Sequence, residues 1–158
     1  MPIASELADL FQRDLTRLLQ QLRAFTDHDV LWVCPPGIAN SAGNLIMHLE
    51  GNLREYVGRL LGGVPYQRAR PQEFSLKGVS IASLEARIDE VRQLIPGIIR
   101  QLPDDRLQAE FPENPLGAPL STEQFLIHLY GHFGYHLDQI DYLRRLLTGG
   151  TAIEYARL

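Results

Sequence analysis

The chain has 158 residues, with 15 Lys+Arg against 19 Asp+Glu and a formal net charge of -4. That length suits one domain with a single sizeable core, and the mildly acidic balance argues against nucleic acid or an anionic membrane as a partner. The single cysteine, Cys34, excludes an intrachain disulfide framework and a cysteine-rich zinc site, so a reducing, cytoplasmic compartment is expected, with Cys34 as a small buried hydrophobe.

The opening stretch "MPIASELADLFQRDLTRLLQ" interrupts its apolar residues with charges, which predicts neither a secretion signal nor a membrane span. Leu7, Phe11, Leu18, Leu22 and Phe25 recur at helical intervals and predict a first helix over about residues 3–26. After the Pro-Pro-Gly breaker in "DHDVLWVCPPGIANS", Asn40 or Ser41 is placed to cap a second helix over about 41–62, ended by Gly62-Gly63. "GGVPYQRARPQEFSLKGVS" has no sustained period and reads as a long ordered loop that can frame a site. Its Arg68 and Arg70 read as solvated, with reception of an anionic substrate as the alternative.

The third helix, about 81–102, is the most regular, with Ile81, Leu84, Ile88, Val91, Ile95, Ile98 and Leu102 forming a bundle seam. Pro96-Gly97 lies inside that seam and predicts a kink or break near Leu94, after which the helix resumes. A Pro-rich connection follows, and Ser121 with Gln124 has the spacing of a capping box for a fourth helix over about 122–147. Period-2 alternation is nearly absent, so the expected fold class is all-α, a single-domain four-helix bundle. The words "LIMHLEGNL" and "FLIHLYGHF" match at His48/His128, Leu49/Leu129 and Gly51/Gly131, pairing helix two with helix four.

Helix four spends three positions on imidazoles. With about 100° per residue, His128, His132, Tyr135, His136 and Gln139 all fall within about 60° of one direction. Phe125, Leu129, Leu143 and Leu146 lie near the same direction, which places the histidines on the inward apolar stripe. On helix two, His48 stands at the apolar edge beside Asn44, Asn52 and Glu55. A lone core histidine is usually satisfied by a neighbour, but four on two helices need a common partner, because an unpaired buried ring nitrogen costs about 1–3 kcal/mol.

A divalent cation supplies that partner: an i, i+4 pair presents two ring nitrogens and an adjacent helix a third, with a position left for water or substrate. His128 and His136 are separated by about 12 Å along the axis, so one of the three on helix four stands outside. Spacing allows either His128 with His132 or His132 with His136. His-Glu-x-x-His and Glu-x-x-His are both absent, which excludes a zinc-protease helix and a ferritin-like di-iron site.

With "NSAGNLIMHLEGNLREYV" at 40–57 and "HLYGHFGYHLDQIDYLRRLL" at 128–147, the chain resembles the DinB superfamily of metal-dependent helical bundles over essentially its whole length. The resemblance implies long crossover connections, frequent dimerisation, and a metal held by His48 together with the pair His132 and His136, followed by Gln139-Ile140. Asp138 stands where that family usually has glycine. It further implies thiol-dependent transfer or isomerisation for some members.

The functional expectation is a mononuclear three-histidine site that activates water or a thiol, of hydrolase or thiol-transferase type. Its cofactor is a divalent metal ion, zinc or nickel first, with iron or manganese as alternatives, since imidazole suits them all. A small molecule, such as a low-molecular-weight thiol, is the expected partner, with a homodimer as the assembly. His128, Asn52, Glu55, Tyr135 and Gln139 are candidates to orient the ligands or line the substrate pocket. The competing classes are a non-catalytic metal-binding or stress-response bundle, a haem-binding bundle and a metal-free interaction module.

Overall fold

Helix carries the fold in the computed structural model, which describes residues 2–155. In chain order the helices are α1 (Ile3–Arg23), α2 (Ala42–Leu53), α3 (Arg70–Ser75), α4 (Ile81–Arg100), α5 (Asp104–Gln108) and α6 (Thr122–Thr148). A 3-10 turn (Val30–Trp32) and a π-helical stretch (Arg54–Arg59) complete them. The described residues hold no strand, only an isolated bridge between Glu110 and Ser121. None of the described helices is long and apolar enough to cross a membrane.

The four long helices arise where the periodicity predicts them, and their ends follow local chemistry. Ser41 caps α2 by accepting from the Asn44 backbone N–H at 3.2 Å. Ser121 and Gln124 form the capping box of α6, and Gly149 ends that helix in the left-handed region at φ 67°. α1 stops at Arg23, earlier than residue 26, because the chain turns at Ala24 while Phe25 still reaches the core.

Two departures concern winding. The second helix does continue past Leu53, but as a π-helix: the Leu60 N–H bonds to Glu55 O at 3.2 Å and the Gly62 N–H to Val57 O at 2.9 Å. Such widened turns give no hydrophobic period of their own and recur near functional sites. In α4 the break expected near Leu94 does not occur; the helix runs unbroken past Pro96 to Arg100. Burial of Ile88, Val91, Ile95 and Ile99 on both sides of the proline holds the helix together despite the lost backbone donor.

α1 packs on α4 and α6, and α2 also packs on α4 and α6. The consecutive pairs α1–α2 and α4–α6 therefore lie across the bundle diagonals while α2 and α4 stand side by side, unlike an up-down-up-down order that sets all consecutive helices side by side. Phe11, Leu15, Leu18 and Leu22 of α1 are wholly buried, each worth about 1.5–3 kcal/mol of transfer free energy. All twelve residues of α2 are buried, since α3 and the 3-10 turn cover the sides that α4 and α6 leave open. That central position makes a polar residue on α2 an interior group.

Cys34 is exposed rather than buried. Leu31 and Trp32 fill the core at that end, and the chain has left it by Val33. Beyond α6 the tail folds back: Arg144, 3% exposed, donates from Nη2 to Thr151 O at 2.9 Å, from Nε to Gln21 Oε1 at 2.6 Å and from Nη2 to Asp141 Oδ1 at 3.0 Å. Tyr155 and Gln21 share a further hydrogen bond.

Candidate metal centre

The site begins with three polar residues on α2 at intervals of four: Asn44, His48 and Asn52, all buried. Interior polar groups need partners, and α3 supplies most of them. The Asn44 amide donates to Glu73 O at 3.0 Å and Leu76 O at 2.8 Å, fastening α3 across α2. Gly51 leaves the space for Glu73, since a Cβ there would stand 2.2 Å from Glu73 Oε1.

Glu73 is 5% exposed. Its Oε2 accepts the Nδ1–H of His48 at 2.9 Å, and its two oxygens receive Arg68 Nε and Nη2 at 2.6 and 2.8 Å. Burial alone would raise the Glu73 carboxyl, but hydrogen bonds from His48 and Arg68 outweigh it and hold its pKa below the ordinary value. A charged carboxylate on Nδ1 fixes the His48 tautomer and leaves Nε2 as a lone pair.

From α6, His132 places its Nε2 3.3 Å from His48 Nε2. Burial first, and then the neighbouring imidazoles, push the His132 pKa down to about 4, so the ring is neutral at pH 7. His136 has its Nδ1 2.7 Å from Gln139 Oε1, which accepts a hydrogen bond from the Nδ1–H and leaves Nε2 as the ring's acceptor. Burial lowers the His136 pKa too, against the raising effect of that bond. One ring nitrogen from each of His48, His132 and His136 lies within 4.8 Å of the others, and among the described residues no other set of His, Cys, Asp or Glu converges in this way. Three converging imidazoles, two of them with Nδ1 held by a carboxylate and an amide oxygen so that Nε2 is the acceptor, suit a cation of the zinc or nickel type.

The histidines do not sit on the centre of the inward face of α6. That face is formed by Leu126, Leu129, Phe133, Leu137, Ile140 and Arg144, all buried, while His132 and His136 are half-buried at its edge and His128 is exposed. Leu146, which helped to set the expected direction, is 69% exposed. An edge position joins the bundle interior to solvent, as a site with an open position requires.

The other candidate residues separate by location. The Asn52 amide nitrogen lies 3.3 Å from both His48 Nε2 and His132 Nδ1. His128 is one turn away, with its ring centroid 6.5 Å from that of His132. Tyr135 is 62% exposed and touches the site only through its ring edge against His136. Glu55 points elsewhere, bonded to Arg59 at 3.1 Å, while Arg59 also pairs with Glu113. The carboxylate that meets His48 is Glu73, which sequence reasoning missed because α3 is too short to show a period. The local signal was a lone glutamate between Arg68-Ala69-Arg70 and an aromatic residue in an otherwise unpatterned loop.

The sequence profile of the DinB superfamily matches residues 10–140. The chain belongs to the DinB superfamily. Two solved structures are similar to this DinB chain in fold. A conserved protein from Enterococcus faecalis aligns with a TM-score of 0.77 at 15% identity, covering 95% of this chain and 99% of its own. A DinB-like protein from Bacillus subtilis aligns with a TM-score of 0.71 at 14% identity, covering 95% and 96%. No curated protein matches the sequence significantly.

In this DinB bundle a cavity of about 180 Å³ opens beside the histidines, lined by His48, Asn52, Arg68, Arg70, His128 and His132 among others. A larger apolar recess of about 500 Å³ lies between Ile38, Leu45, Tyr142 and Leu146 and meets the site only at Gln139. The smaller cavity is the one that adjoins the histidine cluster, since two of the three convergent imidazoles form part of its wall.

Proposed function

We propose that this DinB protein is a metal-dependent enzyme in which His48, His132 and His136 hold one divalent ion, zinc or nickel first, and a small-molecule substrate enters through the adjoining cavity. The observation that carries this reading is the convergence of three imidazole nitrogens within 4.8 Å, contributed by two helices. A divalent ion held by three neutral ligands keeps its full charge and supplies Lewis acidity, which brings a water or thiol at an open position toward a pKa of about 7. The reaction class is hydrolysis or thiol-dependent transfer.

The chain's own residues do the positioning. Glu73 orients His48 and strengthens it as a donor. Gln139 does the same for His136 without adding charge. Asn52 stands at the cavity wall within reach of two rings, where it can hold a polar group of the substrate.

Metal analysis of protein purified without an affinity tag tests the reading. The wild type is expected to retain about one ion per chain and His132→Ala far less, with melting temperature raised by zinc or nickel in the wild type alone. Equal occupancy in both proteins ends the proposal. An open position is tested by cobalt substitution: a visible spectrum that changes when azide is added supports a catalytic site, and an unresponsive spectrum supports a closed structural one.

A further inference from the structure

Among the described residues, every arginine near the site except one is neutralised by a carboxylate. Arg68 is taken by Glu73, Arg54 by Glu50 and Glu90, Arg59 by Glu55 and Glu113, and Arg87 by Glu50. Arg70 has no such partner. Its guanidinium lies over the ring of Phe74, 5.4 Å from the centroid, and that ring in turn packs on His48 at 4.8 Å. The exposed Arg70 side chain is thereby steadied one ring away from a proposed metal ligand.

The cavity that Arg70 lines contains no Asp or Glu; its polar wall is imidazole, amide, phenol and guanidinium. Glu73, bonded to two of the lining residues, is already shared between Arg68 and His48. In a chain of net charge -4, this is a locally positive pocket. A free guanidinium beside apolar walls from Phe125, Leu129 and Leu116 is suited to a planar anion, which arginine grips with two parallel N–H groups.

We propose that Arg70 receives the carboxylate of a small substrate whose opposite end reaches the three histidines. The orientation of that opposite end rests on the reading of His48, His132 and His136 as a metal centre; the anion site itself does not. A volume of about 180 Å³ equals the share of about six water molecules in the liquid, which limits the enclosed part to a short chain. A single unpaired guanidinium matches one carboxylate charge for charge, whereas a phosphate dianion would need a second free donor that Arg68, held by Glu73, does not offer. Arg70 is thus a specificity residue that selects substrates with an anionic end.

The test is a titration of nitrogen-15-labelled full-length protein, with and without zinc, following the Arg70 side-chain N–H signal assigned by its absence in Arg70→Gln. The probes are propionate, its neutral counterpart propionamide, and inorganic phosphate, at constant ionic strength. Propionate is expected to shift the signal saturably and to bind about tenfold or more tightly than propionamide, as expected for a hydrogen bond made to a charged rather than a neutral group. Equal responses to propionate and propionamide, or no response to either, overturn the proposal, and tighter binding of phosphate overturns the carboxylate assignment. Zinc content measured on the same samples separates the two readings. A responsive Arg70 in protein that takes up no zinc removes the metal centre alone, and a silent Arg70 in zinc-loaded protein removes the anion site alone.

Discussion

Glu73 Oε2 accepts the Nδ1–H of His48 across 2.9 Å, and 25 residues separate the two in sequence. The bond joins a six-residue helix in a connecting segment to the fully buried α2. Through it the segment between the second and third long helices becomes part of the site. Breaking it is expected to weaken the metal centre without dismantling the bundle: Glu73→Gln should lower zinc affinity by about 10–100-fold, the range for a partner that orients a ligating histidine. Competition with a chromophoric chelator measures this, with circular dichroism to show unchanged helix content.

Gly51 provides an independent approach to the same contact. Adding a methyl group there places it 2.2 Å from Glu73 Oε1, so Gly51→Ala must push Glu73 and α3 outward. The expected cost is about 1–3 kcal/mol, typical of overpacking, read by urea denaturation. In the double variant Gly51→Ala/Glu73→Ala the clash is gone, and the summed costs of the single changes should exceed the cost of the pair. Simple additivity would show that the two residues do not meet.

The pH dependence of the metal-free protein follows from His132. Its pKa of about 4 in the fold lies below the 6.5 of the free side chain, with burial as the main cause. Between these values the unfolded chain binds a proton that the folded chain does not, so stability must fall as pH drops from about 6.5 to 4 and is fully present above 6.5. Chelator-treated wild type should lose melting temperature across that window, and His132→Phe should lose less. An identical slope in both proteins would assign the effect to other groups.

Arg144 anchors the far end of α6. Its guanidinium is buried and divided among Gln21, Asp141 and Thr151 O, so Arg144→Ala leaves interior acceptors without a donor. A loss of about 2–4 kcal/mol is expected on the scale for breaking buried charged hydrogen bonds. Denaturant melts give the magnitude, and faster proteolysis after Gly150 would report release of the tail. Zinc affinity should not change, because no contact of Arg144 reaches the histidines.

Much of this molecule could be read from neighbours in sequence. Helical stripes such as Ile88, Val91 and Ile95, and the capping box at Ser121 and Gln124, depend on residues within one or two turns of each other, so periodicity and side-chain chemistry identify them directly. The facing of His132 and His136 is local in the same way, because an i, i+4 pair shares a helix side whatever surrounds it. Long-range packing decided the rest. Glu55 and Glu73 were both available to His48 as a carboxylate partner; the π-helical stretch turns Glu55 to Arg59, and the short α3 brings Glu73 home. The inward direction of α6 was decided in the same way: Leu146 is apolar, yet it stands 69% exposed at the wall of the apolar recess. A sequence records which side chains can bury or ligate, while the diagonal order of α1, α2, α4 and α6 determines which distant surfaces come close enough for them to do so.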